Sequence, residues 1–509
     1  MSWLLALPIA IPFAAAVLAA LAPEARLARL ASAVGSALLL LASAALMVAV
    51  LEEGVIAGQM GGWPAPFGIT LVADLLSAVM VVITAITGLA VAIYAVAEMP
   101  REPERLGYHA LFQVLLAGVC GAFLTGDLFN LYVWFEVMLI ASFGLLVLGG
   151  RREQIDGAVK YVTLNLVSTV LFLSGVGLLY GMTGTLNMAD LSLAVERVEN
   201  QGLLTVVAMM FMVAFGVKAA VFPLFFWLPA SYHTPTFSVS AVFAGLLTKV
   251  GVYALIRMFT LVFDHDVGWT HGILLWVAGL TMITGVLGAA AQDDFRRILS
   301  FHIVSQIGYM ILGLALYTPL ALAGSVFYLV HHIIVKANLF LVAGVARRVA
   351  GSTELARIGG LYATAPLLGV LFLVPAFSLA GFPPLSGFWA KYVIIRAAID
   401  AQSYWVAAAA LVTGALTIYS MTKIWAGAFW TPHPEGIEPR LGAIPARERL
   451  AYLAPIAGLA ALTGVIGLFP EPFVAFAEAS AAQLLDPADY VAAVLGPEAV
   501  AAATAVAAR

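Results

Sequence analysis

Charged residues are scarce in this 509-residue sequence. They make up 10% of it, against 63% hydrophobic residues and a mean hydropathy of +1.03. Soluble domains carry about 25% charged residues, so this composition excludes a soluble globular protein. Cysteine is almost missing too, because Cys120 is the only one and lies in the apolar run LFQVLLAGVCGAFL. This excludes disulfides and cysteine-based metal sites.

Basic segments are also lacking. The opening residues MSWLLALPIAIPF carry no Lys or Arg ahead of their apolar run, which favours a retained first helix over a cleaved signal peptide. The formal net charge of −4 is small. Without a basic block, the sequence does not predict a nucleic-acid partner.

Long apolar runs fill the chain instead. About 20 apolar residues span the hydrocarbon core of a bilayer, and such stretches recur from end to end. They fall near 3–21, 30–51, 69–97, 108–125, 127–149, 158–181, 203–230, 238–263, 271–291, 297–316, 320–346, 361–399, 404–430 and 449–469. We therefore predict an all-α polytopic membrane protein with about 14 transmembrane helices.

The distribution of Lys and Arg predicts the orientation, because cytoplasmic loops carry an excess of these residues. Alternate loops hold Arg26 and Arg29; Arg101 and Arg105; Arg151, Arg152 and Lys160; Arg296 and Arg297; Arg347, Arg348 and Arg357; and Arg440, Arg447 and Arg449. Between them, 52–68 and 264–270 have no Lys or Arg, and 182–202 has only Arg197. We expect the Arg-rich loops in the cytoplasm and both termini outside. The Ala-rich tail, 471–509, lies along the membrane or a partner, and the sequence does not decide which.

Lysine is used differently from arginine. Five of the six lysines lie inside apolar segments: Lys218, Lys249, Lys336, Lys391 and Lys423. A desolvated lysine can release its proton, whereas arginine effectively cannot. A charge at mid-bilayer costs about 2.5–3.5 kcal/mol on insertion scales, so it needs a partner, a water-filled cavity or a function. Lys423 lies near a helix end and could equally snorkel to the headgroups. For the other four, the alternative is a structural ion pair.

Two carboxylates lie inside the predicted spans. Glu136 is central to its segment without a charge nearby on the same helix, so it needs a proton or a paired cation. Forming or breaking a Glu–Lys pair would change how tightly a lysine holds its proton, as a proton switch requires. Asp74 lies near the outer end of its helix and suits capping or packing better than proton relay. We keep it as an accessory candidate.

Two adjacent histidines precede a buried lysine. His332 is four residues before Lys336 and shares its helix face, with His331 one position earlier. Histidine titrates near neutrality and suits a relay, although a pair of hydrogen-bonded core histidines is an equal alternative. His233, in the turn PASYHTPTF, is a candidate for proton uptake. We predict no metal site, because acidic and cysteine ligands do not cluster there, and no cofactor, because the chain carries no cofactor motif.

Proline and glycine interrupt two segments. In FGVKAAVFPLFFWLP, Lys218 precedes Pro223, and in SLAGFPPLSGFWAKYVIIRAA, Lys391 follows Pro383 and Pro384. Proline breaks a helix, and broken backbone at membrane depth persists only where protein or a water-filled cavity covers it. Such a pair in corresponding halves of a chain indicates a transport site.

The two interrupted segments also correspond in sequence. Phe-Pro followed by Phe-Trp occurs in both, and Thr-Lys follows one helix later in both. They are the seventh and twelfth segments, and an odd offset gives the copies opposite orientations. We therefore predict two inverted five-helix repeats, helices 4–8 and 9–13, with helices 7 and 12 broken. The predicted divisions are 1–107 for helices 1–3, 108–263 and 271–430 for the repeats, and 449–509 for the last helix and tail.

Four long strings resemble a known family, the antiporter-like subunits shared by respiratory complex I, membrane-bound hydrogenases and multisubunit (Mrp-type) Na+/H+ antiporters. They are GDLFNLYVWFEVMLIASFGLLVLGG (126–150), FGVKAAVFPLFFWLPASYHTPTFSVSAVFAGLLTKVGVYALIR (215–257), HHIIVKANLFLVAG (331–344) and GFPPLSGFWAKYVIIRA (381–397). The resemblance covers nearly the whole chain and implies a bacterial cell (inner) membrane location.

The resemblance also implies roles for individual residues. Glu136 would pair with Lys218, Lys249 would connect the halves, Lys336 would be central and Lys391 terminal. One type of complex I subunit carries glutamate at the terminal position, so Lys391 argues against that type. The length argues against the longer Mrp subunit with extra C-terminal helices.

Our leading hypothesis is a proton-translocating subunit of a Na+/H+ antiporter driven by the proton motive force. Its expected protein partners are the other subunits of a hetero-oligomeric membrane complex in the lipid bilayer. Its expected ions are H+ and, if this subunit conducts it, Na+. It is a secondary transporter and not an enzyme. The alternative is a proton-pumping subunit of complex I or a hydrogenase, which co-purified redox proteins would indicate. A membrane-embedded transferase using His331 and His332 lacks a polar domain to support it, and a pure scaffold leaves the buried lysines unexplained.

Overall fold

The computed structural model describes residues 3–436 and 441–501. Within them, twelve helices are long and apolar enough to cross a membrane, and two shorter apolar helices, Tyr108–Leu124 and Pro366–Ala380, lie where two further spans are predicted. The helices are α1 (Trp3–Leu21), α2 (Ala25–Glu53), α3 (Leu75–Glu98), α4 (Tyr108–Leu124), α5 (Leu128–Val147), α6 (Arg152–Thr183), α7a (Gln201–Ala219), α7b (Trp227–Ser231), α8 (Phe237–Leu261), α9 (Val267–Ala290), α10 (Phe295–Leu316), α11 (Pro319–Ala350), α12a (Pro366–Ala380), α12b (Ser386–Asp400), α13 (Tyr404–Trp430) and α14 (Ala446–Leu468).

Short polar side chains begin several of these helices. Asp127 accepts the N–H of Asn130 at the start of α5, and Asp294 accepts the N–H of Arg297 at the start of α10. Thr318 does the same for α11, where Pro319 occupies the first helical position. These caps satisfy backbone donors that have no partner inside the helix, so the chain can turn sharply between spans.

Three helices form the centre of the bundle. The most apolar windows of α8, α10 and α11 are almost wholly buried, whereas those of α1, α2, α5 and α6 are less than half buried. α11 packs against α3, α8, α10, α12a, α12b and α14. Lys249 on α8 and Lys336 on α11 are therefore held inside the protein, away from lipid.

The loops gather on two faces. On the first, called the Arg-poor face, an antiparallel hairpin of β1 (Ile56–Gln59) and β2 (Thr70–Ala73) meets the neighbouring loops through the bridges Leu71–Thr125 and Asp127–Asn187. On the second, the Arg-rich face, the short helix Arg101–Arg105 is fixed by Glu104, which accepts hydrogen bonds from Arg29 of α2 and lies 3.0 Å from Nε2 of His109. The two groups of loops are those that the Lys and Arg distribution separates.

The tail folds back on its own chain as far as it is described. The helix α15 (Glu471–Leu485) packs against α11, and α16 (Ala488–Leu495) packs against β1 and the short helix Met188–Ala194. Oε1 of Gln483 accepts the N–H of Leu75 at 3.1 Å. The sequence predicted that this tail contacts the membrane or a partner. As far as residue 501, the tail packs on the chain's own helices. Residues 502–509, and Arg440 of the last Arg-rich loop, lie outside the described part.

Two arginines depart from the expected surface role. Arg257 lies inside α8 with 4% of its surface exposed, and Arg296, assigned to a loop from the sequence, is the second residue of α10 and is 5% exposed. Arg296 donates to the carbonyl of Pro235 at 2.5 Å and to Oγ of Ser240 at 2.7 Å. The assignment was wrong because the cap at Asp294 starts α10 earlier than hydropathy suggests.

Candidate functional site

The predicted buried lysines are in fact buried. Lys249 and Lys336 are 0% exposed, Lys391 is 6% exposed and Lys218 is 8% exposed. They lie on α8, α11, α12b and α7a respectively. In the described part of the chain, none of the four forms an ion pair within 4.0 Å, so the structural ion-pair alternative does not account for them in this arrangement.

Backbone carbonyls solvate three of these amines. Nζ of Lys336 donates to the carbonyl of Leu299 at 2.9 Å, and Nζ of Lys391 donates to those of Leu379 at 2.9 Å and Ala380 at 3.0 Å. Lys249 donates to the carbonyl of Ala244. A carbonyl is a neutral acceptor that stabilises an ammonium without trapping it as a fixed carboxylate would.

Helix irregularities supply three of these four carbonyl acceptors. α12a ends at Ala380, and Gly381 with φ 95° turns the chain away, which leaves the last carbonyls free to meet Lys391. Ala244 lies in a π-helical segment of α8, Phe243–Leu247, where the regular hydrogen-bond pattern is interrupted. The Pro and Gly break was predicted from the sequence, but the π-helical segment was not.

Lys218 lies beside the other break. α7a ends at Ala219, Ala220 takes a left-handed conformation with φ 60°, and Trp227 of α7b donates its indole N–H to the carbonyl of Val217 at 3.0 Å. α8 packs closely here, because a Cβ on Gly251 would lie 2.5 Å from the backbone nitrogen of Ala219. The break therefore holds Lys218 against the helix that carries Lys249.

A small cavity with a few polar groups in its lining adjoins Lys218. It has about 20 Å³ of space for water and is lined by Tyr161, Asn165, Tyr232 and Leu247, among others. About 10–15 Å³ of such space is enough for one water molecule. Tyr232 has a buried hydroxyl without a protein partner, so this cavity provides polar contacts between Lys218 and the π-helical segment of α8.

Glu136 and Lys218 are neighbours that do not touch. They interact electrostatically, but the structure has no ion pair between them within 4.0 Å. Nζ of Lys218 lies 5.5 Å from the centre of the Phe135 ring, and Glu136 accepts a hydrogen bond of 2.6 Å from Thr169 on α6. The direct pair that the family resemblance implies is open here, with Glu136 half-buried on the outer side of the bundle.

The two adjacent histidines have different environments. His332 interacts electrostatically with both Lys249 and Lys336, and neither of its ring nitrogens has a protein partner. His331 instead places Nδ1 2.8 Å from Oγ of Ser386, the first residue of α12b. His332 therefore lies between two of the lysines, and His331 contacts the broken helix of the third.

His302 was not singled out in the sequence. It is 0% exposed on α10 and interacts electrostatically with both Lys336 and Lys391, so it lies between the central and terminal lysines. A lone histidine seven residues into an apolar helix was the available signal. Glu98, at the end of α3, was missed as well, because it lies at the helix end beside a charged loop.

Several buried polar atoms along this row have no hydrogen-bond partner among the residues that the structure describes. They are Oγ1 of Thr87 and Thr248, Nε2 of His302, both nitrogens of His332, and the side-chain amide of Asn338. Buried polar groups are normally hydrogen-bonded, to ordered water where protein does not supply the partner. The row is therefore suited to hold water between its titratable groups.

The accessory candidates lie away from the row. Lys423 pairs with Asp293 at 2.6 Å on the Arg-rich face, which fits snorkelling. Asp74 caps α3 and also forms an ion pair of 2.6 Å with Arg257, so the capping prediction holds and the pair was missed. His233 donates from Nδ1 to the carbonyl of Pro229 at 2.8 Å; burial, helped by the nearby Arg297, lowers its pKa to about 4. A neutral His233 at pH 7 is poorly suited to proton uptake.

Metal coordination has no support in residues 3–436 and 441–501, where groups of three or more His, Cys, Asp or Glu do not converge. At the far end of the row, Lys391 instead lines a cleft of about 580 Å³ between α12b and α13, with Tyr392 and Gly414. The arrangement can therefore pass a proton between buried amines and imidazoles, and it ends beside a cleft at Lys391.

Comparison with known proteins identifies the family of this chain. The family model described as NADH:quinone oxidoreductase/Mrp antiporter, TM, matches residues 125–417. The D-type subunit of a Na(+)/H(+) antiporter from Alkalihalophilus pseudofirmus is 47% identical over 499 residues, which cover 97% of this chain and 100% of the relative. A chain in the Mrp complex structure from Dietzia sp. is 37% identical, with a TM-score of 0.88 and coverage of 97% and 100%. A chain of respiratory complex I from Thermus thermophilus is 26% identical, with a TM-score of 0.80 and coverage of 94% and 99%. This chain belongs to the family of membrane subunits that NADH:quinone oxidoreductases and Mrp antiporters share.

Proposed function

We propose that this chain is the D-type subunit of an Mrp-type Na+/H+ antiporter, in which it carries protons as part of a secondary transporter and not as an enzyme. The similarity to a D-type antiporter subunit over nearly the full length of both chains supports this assignment. The lower identity to the complex I chain favours the antiporter over a redox-driven pump.

One observation carries the proposal: buried titratable groups follow one another through the central helices. In order they are Glu136 and Lys218, then Lys249, His332 and Lys336, then His302, and finally Lys391 with His331. Neighbouring members of each group interact electrostatically, and only the step from Lys218 to Lys249 depends on the small cavity at Tyr232 and Leu247.

Each residue has a distinct role in this proposal. The lysines hold and release the proton, because an amine in a low-dielectric interior can exchange it while arginine cannot. His332 and His302 relay it between lysines. Glu136 stabilises Lys218 when the pair closes and releases it when the pair is open, as it is here. Protons pass in either direction between the Glu136 end and the Lys391 cleft.

We further propose the orientation and the repeat. The Arg-rich face lies in the cytoplasm, and both termini lie outside a bacterial cell membrane, following the distribution of Lys and Arg. Helices 4–8 and 9–13 form inverted repeats, with the breaks after Ala219 and Ala380 as corresponding elements. The 1–107, 108–263, 271–430 and 449–509 divisions are part of this proposal.

The partners are the other subunits of a hetero-oligomeric complex. Glu136 on α5 and Lys391 at its cleft both lie near the lateral surface, where neighbouring subunits can receive or supply the proton. Sodium passes through this chain or a neighbour.

The test uses the whole complex in everted membrane vesicles. We expect Lys218→Ala and Lys336→Ala each to abolish Na+-dependent proton flux while leaving assembly intact, with Lys160→Ala as the surface control. Undiminished flux in both variants would remove the lysine row from the mechanism. Co-purified iron–sulfur or flavin proteins would instead assign the chain to a redox-driven complex.

A further inference from the structure

α3 carries a carboxylate at each end, and both hold α8. At the Arg-poor end, Oδ2 of Asp74 accepts a hydrogen bond of 2.6 Å from Nη2 of Arg257. At the Arg-rich end, the two oxygens of Glu98 accept the backbone N–H groups of Phe237 at 2.6 Å and Ser238 at 2.7 Å. One helix thus fixes both ends of another.

The π-helical segment of α8 lies between these two anchors. A π-helical turn contains more residues than an α-helical turn, so it can resolve only if one end of the helix shifts along its axis or rotates. Asp74 and Glu98 oppose such a shift from opposite ends. The irregular segment therefore persists while both anchors hold.

Lys249 depends on this segment. Its amine donates to the carbonyl of Ala244, inside the segment, and Lys249 itself follows directly after Phe243–Leu247 and Thr248. Adding or removing one residue in a helical turn rotates the following side chains by about 100°. Resolving the segment would turn the amine away from Ala244 and change its approach to Lys336 and His332.

The two anchors differ in how they respond to protons. Asp74 is 3% exposed and bound to a guanidinium, whose positive charge favours the ionised carboxylate. Glu98 binds neutral N–H groups, and it lines a cavity of about 840 Å³ on the Arg-rich face together with Arg151, Phe237, Arg347 and Tyr452. Protons can therefore reach Glu98 from that face, and a proton on Glu98 removes the charge that strengthens both of its hydrogen bonds.

The charged and titratable groups around Glu98 come from every helix packed near it. They are Tyr94 of α3, Glu102 of the short helix Arg101–Arg105, Tyr108 of α4, Arg151 before α6, Arg296 of α10, Arg347 and Arg348 of α11, and Glu448 and Tyr452 of α14. Arg296 and Arg347 lie on the ring of Phe237, with their guanidinium carbons 4.2 and 5.9 Å from its centre. Neither arginine forms an ion pair with Glu98 within 4.0 Å.

We propose that Glu98 is a proton-responsive positioning residue: as a carboxylate it fixes the start of α8 and holds Lys249 in place, and its protonation from the Arg-rich face frees α8 to rearrange. This rests on the proposed proton-carrying function. Glu98 acts through Lys249 and does not itself join the proton row.

Glu98→Gln is the test, because it keeps the side chain's size and removes its charge. In the intact complex, we expect Na+-dependent proton flux to fall by about tenfold or more, the loss typical of a charge-assisted hydrogen bond. The native flux should decline on the acid side of its pH profile as Glu98 takes up a proton. That acid side should flatten in Glu98→Gln and persist in Glu24→Gln, an exposed control directly before α2 that does not line this cavity.

Amide hydrogen exchange measures the anchor without relying on flux. Peptides covering 237–249 should exchange faster in Glu98→Gln than in Glu24→Gln at the same pH. If amide exchange in 237–249 is unchanged in Glu98→Gln, the proposal is overturned. It is also overturned if Glu98→Gln lowers the flux but keeps the native decline at acid pH, because Glu98 would then have a structural role only. If Lys336→Ala leaves flux intact, the proton-carrying function fails, while the exchange comparison still decides the anchor.

Glu98→Asp is the second test variant, used if the complex with Glu98→Gln does not assemble. It keeps the charge but is one methylene too short to reach both N–H groups. In Glu98→Asp we expect a reduced flux that still declines at acid pH, with this decline shifted along the pH axis. Native flux with the native pH profile would contradict the proposal.

Discussion

His331 and His332 are consecutive in the chain but face different parts of the row. Successive residues of a helix point about 100° apart, so one ring contacts Ser386 while the other lies between Lys249 and Lys336. A histidine pair read as one unit in the sequence is therefore two groups with separate tasks. His331 supports the broken helix, and His332 is placed to relay a proton.

This difference can be measured by double-mutant cycles. We expect His331→Ala and Ser386→Ala to be coupled by about 0.5–1.5 kcal/mol, the net value of a hydrogen bond. His332→Ala and Ser386→Ala should be additive, because they share no partner. Thermal unfolding of the purified protein in detergent gives the stability changes of the single and double variants. Equal coupling of both histidines to Ser386 would contradict the assignment.

Lys336 should be indispensable for flux. Lys336→Met keeps the length of the side chain and removes the titratable amine that donates to Leu299. We expect Na+-dependent proton flux in everted vesicles to fall to the background. Lys160→Met is the matched control, since Lys160 is half-exposed and pairs only with Asp156. Native flux in the Lys336 variant would show that the proton takes another path.

The ion pair between Asp74 and Arg257 should dominate the stability of the Arg-poor end. Both side chains are about 5% exposed or less, and removing one partner of such a pair costs about 3–5 kcal/mol because the other charge stays buried alone. Asp74→Asn should therefore lower the unfolding temperature clearly. Glu354→Gln, which breaks the exposed pair with Arg357, should cost no more than about 1 kcal/mol. Similar shifts in both variants would argue against a buried pair.

His233 should make the protein less stable in acid. Its pKa is lowered to about 4 from an ordinary value of 6.5, mainly by burial. Between those values the unfolded chain binds a proton that the folded chain does not, so stability falls as pH drops from about 6.5 toward 4. His233→Gln should remove part of this loss and leave flux between pH 7 and 8 unchanged. Reduced flux of His233→Gln at pH 8 would show that His233 takes part in carrying the proton.

The sequence predicted the elements that follow from composition and period. Long apolar runs identified the spans, and the family resemblance identified from the four strings is confirmed. Lysine in apolar surroundings is rare enough that Lys218, Lys249, Lys336 and Lys391 could be selected one by one, and all four are buried. These signals are local, so a single chain is sufficient to detect them.

Long-range contacts could not be predicted in the same way. The bond from Glu98 to α8 joins residues 139 and 140 positions apart, and Asp74 meets Arg257 across 183 positions. The π-helical segment FAGLL contains one glycine and no proline, which is not enough to distinguish it from an ordinary helix in the sequence. His302 looked like an isolated polar residue until the fold placed it between two lysines. Contacts between residues so far apart in the sequence depend on how the helices pack and not on hydropathy.

The position of α15 and α16 has a consequence for biosynthesis. These two helices lie along α11 and over the hairpin, and Tyr490 of α16 stacks on Arg257, with 5.2 Å between the guanidinium carbon and the ring centre. They are translated after every helix that they cover. A nascent chain therefore inserts Arg257 and the buried lysines before the helices that cover Arg257 have been translated.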